Sequence, residues 1–233
     1  MTAAPATSAR RIVVLGSPGS GKSTFSHALA AGTGLPLVHL DDVYWRAGWQ
    51  RPPEDEWERV VERLAAEPSW IIDGNFADTV RRRAERADVV ILFDRHPWLC
   101  AGALVRRSLR LRGNALLGRP TREYLPAGLT AGDPPVRSVT ALVRKAVGFR
   151  GRELRLMRPL LAAGPAPVLH CRSRREAARV LRHLSAQERP TPAEPAGVPV
   201  CTCAQRQRPG GGPLPRPPGP PPRHVRPVRE GST

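Results

Sequence analysis

Residues 16–24 read Gly16-Ser17-Pro18-Gly19-Ser20-Gly21-Lys22-Ser23-Thr24 and satisfy G-x-x-x-x-G-K-[ST] in full. Glycines at this spacing let a backbone curl with its N–H groups pointing inward, and a helix starting at the lysine adds its positive end. The chemistry this suits is capture of a polyphosphate. Gly16, Ser17, Gly19, Ser20, Gly21, Lys22, Ser23 and Thr24 are therefore the expected phosphate-binding set. Lys22 would reach the terminal phosphates and the Ser23 hydroxyl would ligate Mg2+. The expected cofactors are ATP or GTP with Mg2+.

The elements needed to hold such a loop flank it. Residues 11–15 (Arg-Ile-Val-Val-Leu) are a short apolar, β-branched run that reads as a buried strand, and residues 23–31 read as a helix closing on Gly32 and Gly34. The alternation continues, with strands expected at 35–40, 70–72, 88–94 and 167–171. Helices are expected at 53–67, 78–87 and 97–112, one or two more within 136–163, and a last one from 174 to about 186, capped by Ser173. Strands alternating with helices imply a parallel sheet covered on both faces.

In such sheets the ligand lies beyond the carboxyl ends of the strands, which directs attention to Asp41-Asp42, Asp73-Gly74-Asn75, Asp94-Arg95 and Arg172. Asp73 and Asp94 compete for the metal. The Asp-Gly-Asn sequence favours Asp73, because a glycine beside it lets the backbone approach a ligand. Tyr44, Trp45 and Trp49 crowd the stretch after Asp42 and offer either a stacking platform or packing of a loop onto the sheet. Tyr44, Trp45, Asn75 and Phe76 form the candidate substrate set. Arg106, Arg107 and Arg110 share one side of the helix at 97–112, in a stretch from 95 to 122 that holds seven arginines and no acid. Such a cluster suits a phosphate clamp or, in an arginine-biased chain, a solvated face. Arg81, Arg82, Arg83 and Arg86 form a second patch with the same two readings. His39 reads as a satisfied strand histidine.

The 233 residues carry a formal charge of +17, yet only Lys22 and Lys145 are lysines among 37 basic residues. That charge favours nucleotides and other anions and gives salt-sensitive, non-specific adhesion to nucleic acid. No base-reading motif accompanies it. Cys100 and Cys171 lie in apolar surroundings and read as buried thiols; Cys201-Thr-Cys203 has no second ligand pair nearby. No run is long and apolar enough to span a membrane and no signal-peptide core is visible, so a cytoplasmic setting is expected. Three segments follow: a leader (1–10), one domain (11–186), and a Pro/Gly/Arg-rich tail (187–233) whose composition is that of a disordered, polyproline-like segment.

Taken in order, the loop at 16–24, His39-Leu-Asp-Asp-Val-Tyr-Trp45 with Gly48-Trp49, Trp70-Ile-Ile-Asp-Gly-Asn-Phe76 and Phe93-Asp-Arg-His-Pro-Trp98 resemble the adenylate-kinase-related P-loop proteins called DNA topology modulation proteins. The likeness covers about residues 10–185, with departures at Pro18, at Phe76 (where Tyr is more usual) and across 116–135. It implies a three-layer, nucleoside-monophosphate-kinase-like fold with strand order 2-3-1-4-5. Asp73-Gly74 falls where adenylate kinases carry a similar pair near the Mg2+. Asp41 and Asp42 look like the strand end of uridine-kinase-type enzymes, where an aspartate can accept the proton of the attacking hydroxyl. The helix after the fourth strand would lead into a lid whose arginines, here Arg106, Arg107 and Arg110, cover the transferring group. The function implied is a phosphotransferase acting on a small nucleoside- or nucleotide-type acceptor. The alternative is a nucleotide-dependent regulator or DNA-associated protein without kinase activity.

Overall fold

The computed structural model of the chain describes residues 9–119, 124, 126–130, 133–134 and 138–186. The expectations for residues 1–8, for the tail from 187 and for Cys201 and Cys203 fall outside these.

Five parallel strands form one sheet in the order β2-β3-β1-β4-β5: β1 (Arg11–Gly16), β2 (Leu37–His39), β3 (Trp70–Asp73), β4 (Val89–Phe93) and β5 (Val168–Cys171). This is the expected order. The period-2 geometry of β1 divides the core. Val13 and Leu15 face one side with Ile72, Val90 and Leu92, while Ile12 and Val14 face the other with Ile71, Val89 and Ile91. Because both faces are covered, the central strands are apolar throughout rather than alternating.

The helices supply the outer layers. α1 (Lys22–Thr33) places Phe25 and Leu29 on one face, together with Leu184 of α8 (Arg174–Ala186). On the opposite face lie Trp57 and Val61 of α3 (Glu54–Ala66), Val80 and Ala84 of α4 (Ala77–Arg86), and Leu154, Met157 and Leu161 of α7 (Glu153–Ala163). α5 (Pro97–Leu116) and α6 (Val139–Gly148) pack on each other around Cys100, Leu104 and Ala146. The expected Ser173 cap is present: its Oγ accepts the Glu176 N–H at 3.1 Å, and the Glu176 carboxylate accepts the Arg172 N–H at 2.7 Å.

Three boundaries differ from expectation for identifiable reasons. α1 runs through Gly32 because a Cβ there would stand 2.3 Å from Ser185 Oγ of α8, so this glycine permits helix contact rather than ending the helix. Gly34, at φ 73°, is the terminator. The second strand stops at His39, and a one-turn helix, α2 (Leu40–Tyr44), takes over, so Asp41 and Asp42 lie in the first turn of a helix and not at a strand end. Asp88 precedes β4 and accepts the N–H groups of Arg10 and Arg11 at 2.9 and 2.8 Å, which fixes the start of β1.

Candidate active site

The loop from Gly16 to Gly21 joins β1 to α1 and is held from several directions. At Gly16, φ is 143° and a Cβ would lie 2.4 Å from the Phe93 carbonyl oxygen, so no other residue fits. Gly19, at φ 77°, presses equally close to the Cys100 carbonyl of α5. Asn75 accepts the Gly16 N–H and donates to the Gly16 carbonyl, both at 2.9 Å. Lys22 folds back over the loop and donates to the Ser17 carbonyl at 3.3 Å, and Arg95 reaches the Ser20 carbonyl at the same distance. Ser20 Oγ is buried without a hydrogen-bond partner. A buried hydroxyl without a partner inside a glycine cradle fits the oxygen of an anion.

Asp73 ends β3 beside this loop and is only 4% exposed. Its Oδ2 accepts from His39 Nδ1 at 3.0 Å, while Oδ1 is buried with no hydrogen-bond partner. Burial alone would raise the carboxyl. The His39 hydrogen bond and the charge of Lys22 outweigh it and hold Asp73 below its usual value, the Ser23 hydroxyl acting in the same direction. A charged carboxylate with one open oxygen beside a serine hydroxyl is a hard donor set, and it fits Mg2+. Among the described residues no cluster of three or more His, Cys, Asp or Glu could hold a metal, so such a cation would take its remaining ligands from phosphate and water.

The adjacent aspartates of α2 have different surroundings. Asp42 Oδ1 accepts from the Tyr124 hydroxyl and from the Ala127 N–H, each at 2.7 Å, and so anchors the chain beyond α5. Burial, reinforced by Asp42, pushes the Tyr124 phenol far above its usual value. Asp41 instead accepts from Trp45 Nε1 at 3.2 Å. Burial raises Asp41, as does Asp73, against the opposing charges of Lys22 and Lys145. Asp41 thus feels the phosphate-loop lysine.

The substrate set divides as well. Tyr44 and Phe76 pack with Trp57 at ring-centroid distances of 4.6–4.9 Å and lie against the core, which favours the packing reading for them. Trp45 and Trp49 stand 5.3 Å apart, Trp45 held to Asp41. Asn75 is committed to Gly16 and, at 3.3 Å, to Glu153, so its amide positions the loop.

Most of the arginine patch on α4 is structural. Arg83 is fully buried and donates to the carbonyls of Gly74, Asn75 and Phe76 at 2.8, 2.7 and 3.1 Å, and burial lowers its pKa to about 10. Arg82 and Arg86 pair with Glu58 and Glu62 of α3, and Arg81 with Glu85. On α5, Arg107 donates to the Tyr124 carbonyl, while Arg106 and Arg110 are exposed. Asp94 is bound by Arg150 through its carboxylate at 2.6 Å and its carbonyl at 3.1 Å.

Residues that the sequence reading passed over lie next to the loop. A cleft of about 220 Å³ is lined by Ala141, Arg144, Lys145, Gly148, Arg152 and Glu153. Glu153 joins it to Asn75, and the Lys145 charge is felt at Asp41. One signal was present: Lys145 is the second of only two lysines in a chain that otherwise uses arginine, and both lysines act on Asp41.

No protein-family model matches the chain, and no curated protein matches it in sequence. Solved structures similar to it include a shikimate kinase from Bacteroides thetaiotaomicron, at 14% identity and a TM-score of 0.42, over 76% of this chain and 96% of that one. A gluconokinase from Sinorhizobium meliloti 1021 shows 20% identity and a TM-score of 0.34, over 66% and 98%. A shikimate kinase from Acinetobacter baumannii in complex with shikimate shows 16% identity and a TM-score of 0.43, over 75% and 93%. Likenesses of this degree assign no activity, and the DNA topology modulation proteins are not among these three. Among the described residues no helix is long and apolar enough to cross a membrane.

Proposed function

We propose that this chain is a phosphotransferase that moves the γ-phosphoryl group of ATP, or of GTP, to a small acceptor of nucleoside or nucleotide type, working with Mg2+ in a reducing, cytoplasmic setting. The observation that carries this reading is the group at the carboxyl end of the sheet. Lys22 lies over a glycine loop, Asp73 keeps one buried oxygen open beside it, and Asp41 has its proton affinity raised while feeling the same lysine. A motor or switch needs the first two; a raised carboxylate suits proton acceptance from a hydroxyl.

In the reaction the acceptor oxygen forms a bond to the γ-phosphorus as the bond to the β–γ bridging oxygen breaks. The nucleoside diphosphate leaves with that electron pair, and the hydroxyl proton passes to Asp41. Lys22 and the loop amides neutralise the phosphates. Ser23 and Asp73 would hold Mg2+, which supplies charge neutralisation at the β- and γ-oxygens when bound. Arg106, Arg107 and Arg110 are proposed to complete the phosphate clamp. The cleft at Arg144, Lys145 and Arg152 suits an acceptor with an anionic group. The basic charge also favours salt-sensitive contact with nucleic acid, a secondary property under this reading.

The test is incubation with ATP labelled at the γ-phosphate and a pool of nucleosides, nucleotides and small alcohols. A labelled small product is expected, and Lys22→Ala should abolish it. Release of free phosphate alone, or retained turnover in the variant, would overturn the assignment.

A further inference from the structure

His39 and Asp73 are register partners across β2 and β3, so their side chains leave the sheet together. The histidine is 7% exposed, and its ring is covered by Tyr124 at a centroid distance of 4.5 Å. Its Nδ1 lies 3.0 Å from Asp73 Oδ2, and its Nε2 lies 3.2 Å from Nε2 of His27 on α1. A carboxylate only accepts, so the Asp73 bond requires the His39 proton on Nδ1. In the neutral ring Nε2 then carries a lone pair, and the facing nitrogen of His27 must be the donor. With His39 neutral, the two bonds permit one direction of donation, from His27 to His39 to Asp73.

We propose that His39 is a positioning residue for the Asp73 carboxylate, with the Asp73 bond setting its tautomer and His27 occupying its other ring nitrogen. The consequence falls on the oxygen that neither histidine touches. With Oδ2 held, the carboxylate cannot rotate to exchange its two oxygens, and Oδ1 is the one left open. A carboxylate fixed this way presents a preset ligand to a divalent cation, and it cannot turn to pair with Lys22 when the nucleotide is absent. This rests on the reading of Asp73 as the metal carboxylate given above.

The test uses the full-length protein and measures ATP affinity by calorimetry, once with Mg2+ and once with EDTA. His39→Leu should weaken the Mg2+-dependent part of ATP binding about 10-fold while affinity in EDTA stays within about twofold. His39→Asn, whose amide can donate from near the Nδ1 position, should recover most of the loss. Imidazole nitrogen NMR of the unliganded wild type should show His39 as the Nδ1–H tautomer, and His27→Phe should leave that tautomer in place.

Equal losses in Mg2+ and EDTA would mark a merely structural histidine and overturn the proposal. So would wild-type ATP binding that does not respond to Mg2+. An Nε2–H tautomer of His39 in the wild type would overturn it whether or not the His39 variants fold. If the wild type binds ATP with the expected Mg2+ dependence but labels no acceptor, the phosphotransferase reading fails and the histidine relay stands.

Discussion

Asp73 closes β3 and Asp94 follows β4, the strands on either side of β1, and both residues are almost inaccessible, at 4% and 6% exposed. Each end is also held by an arginine from the second outer layer or its connections. Arg83 takes three backbone carbonyls in the turn after Asp73 and leaves the carboxylate alone. Arg150 takes the Asp94 carboxylate itself. The first arrangement stiffens the chain around a carboxylate whose Oδ1 has no hydrogen-bond partner. The second consumes the side chain to fix the chain. Two buried aspartates at equivalent places are thus separated by which acceptor the arginine has chosen, and neither burial nor strand position distinguishes them.

The sharpest way to break this comparison is to neutralise both ends. Asp73→Asn should lower turnover by about 100-fold or more with the fold intact, whereas Asp94→Asn should leave turnover within a few-fold and lower stability by about 2 kcal/mol. Steady-state phosphoryl transfer and thermal melts on the two variants decide it; comparable kinetic losses would erase the distinction. Next in size is Arg83→Met. It leaves the carbonyls of Gly74, Asn75 and Phe76 without their buried donor, so a loss of about 3 kcal/mol in urea unfolding is expected.

Asp41→Asn probes the third carboxylate. Burial raises Asp41, so its ionised form is the unfavourable one in the folded protein, and the cost is present above the folded pKa. The variant should therefore be inactive yet melt higher at pH 7, with the gain fading as the pH falls toward the ordinary carboxylate value of 3.8. A lower melting temperature at pH 7 would contradict the assigned direction. The smallest effect belongs to the half-exposed pairs between α3 and α4: Arg82→Ala or Arg86→Ala should cost under about 1 kcal/mol, and less in high salt.

Much of this was legible because it is local. The phosphate loop is a contiguous run, and the strand-helix alternation follows from apolar runs and capping residues. The Gly-Asn neighbours favour Asp73 over Asp94 in sequence, and in the structure Arg150 takes the Asp94 carboxylate. The partners were not legible. Arg150 lies 56 residues from Asp94 and Tyr124 lies 82 from Asp42, and no spacing rule spans such gaps. The four arginines of α4 look alike in sequence, while of these Arg83 alone is buried. In sequence Asp42 is a candidate proton acceptor and Asn75 and Phe76 are candidate substrate residues; in the structure their hydrogen bonds and ring contacts tie them to Tyr124, to Gly16 and to the aromatic cluster.

The bond between Asn75 and Gly16 has a mechanical meaning. Val14 and Asp73 are register partners, so two residues further on Gly16 and Asn75 would face each other if β3 continued. The backbone turns away there, and the Asn75 amide, which offers the same donor and acceptor as a peptide group, closes the ladder in its place. The sheet is in effect one rung longer than its strands. Gly16 is thereby tied into the sheet on the β3 side by a side chain rather than a strand, and the phosphate loop proper begins beyond that rung.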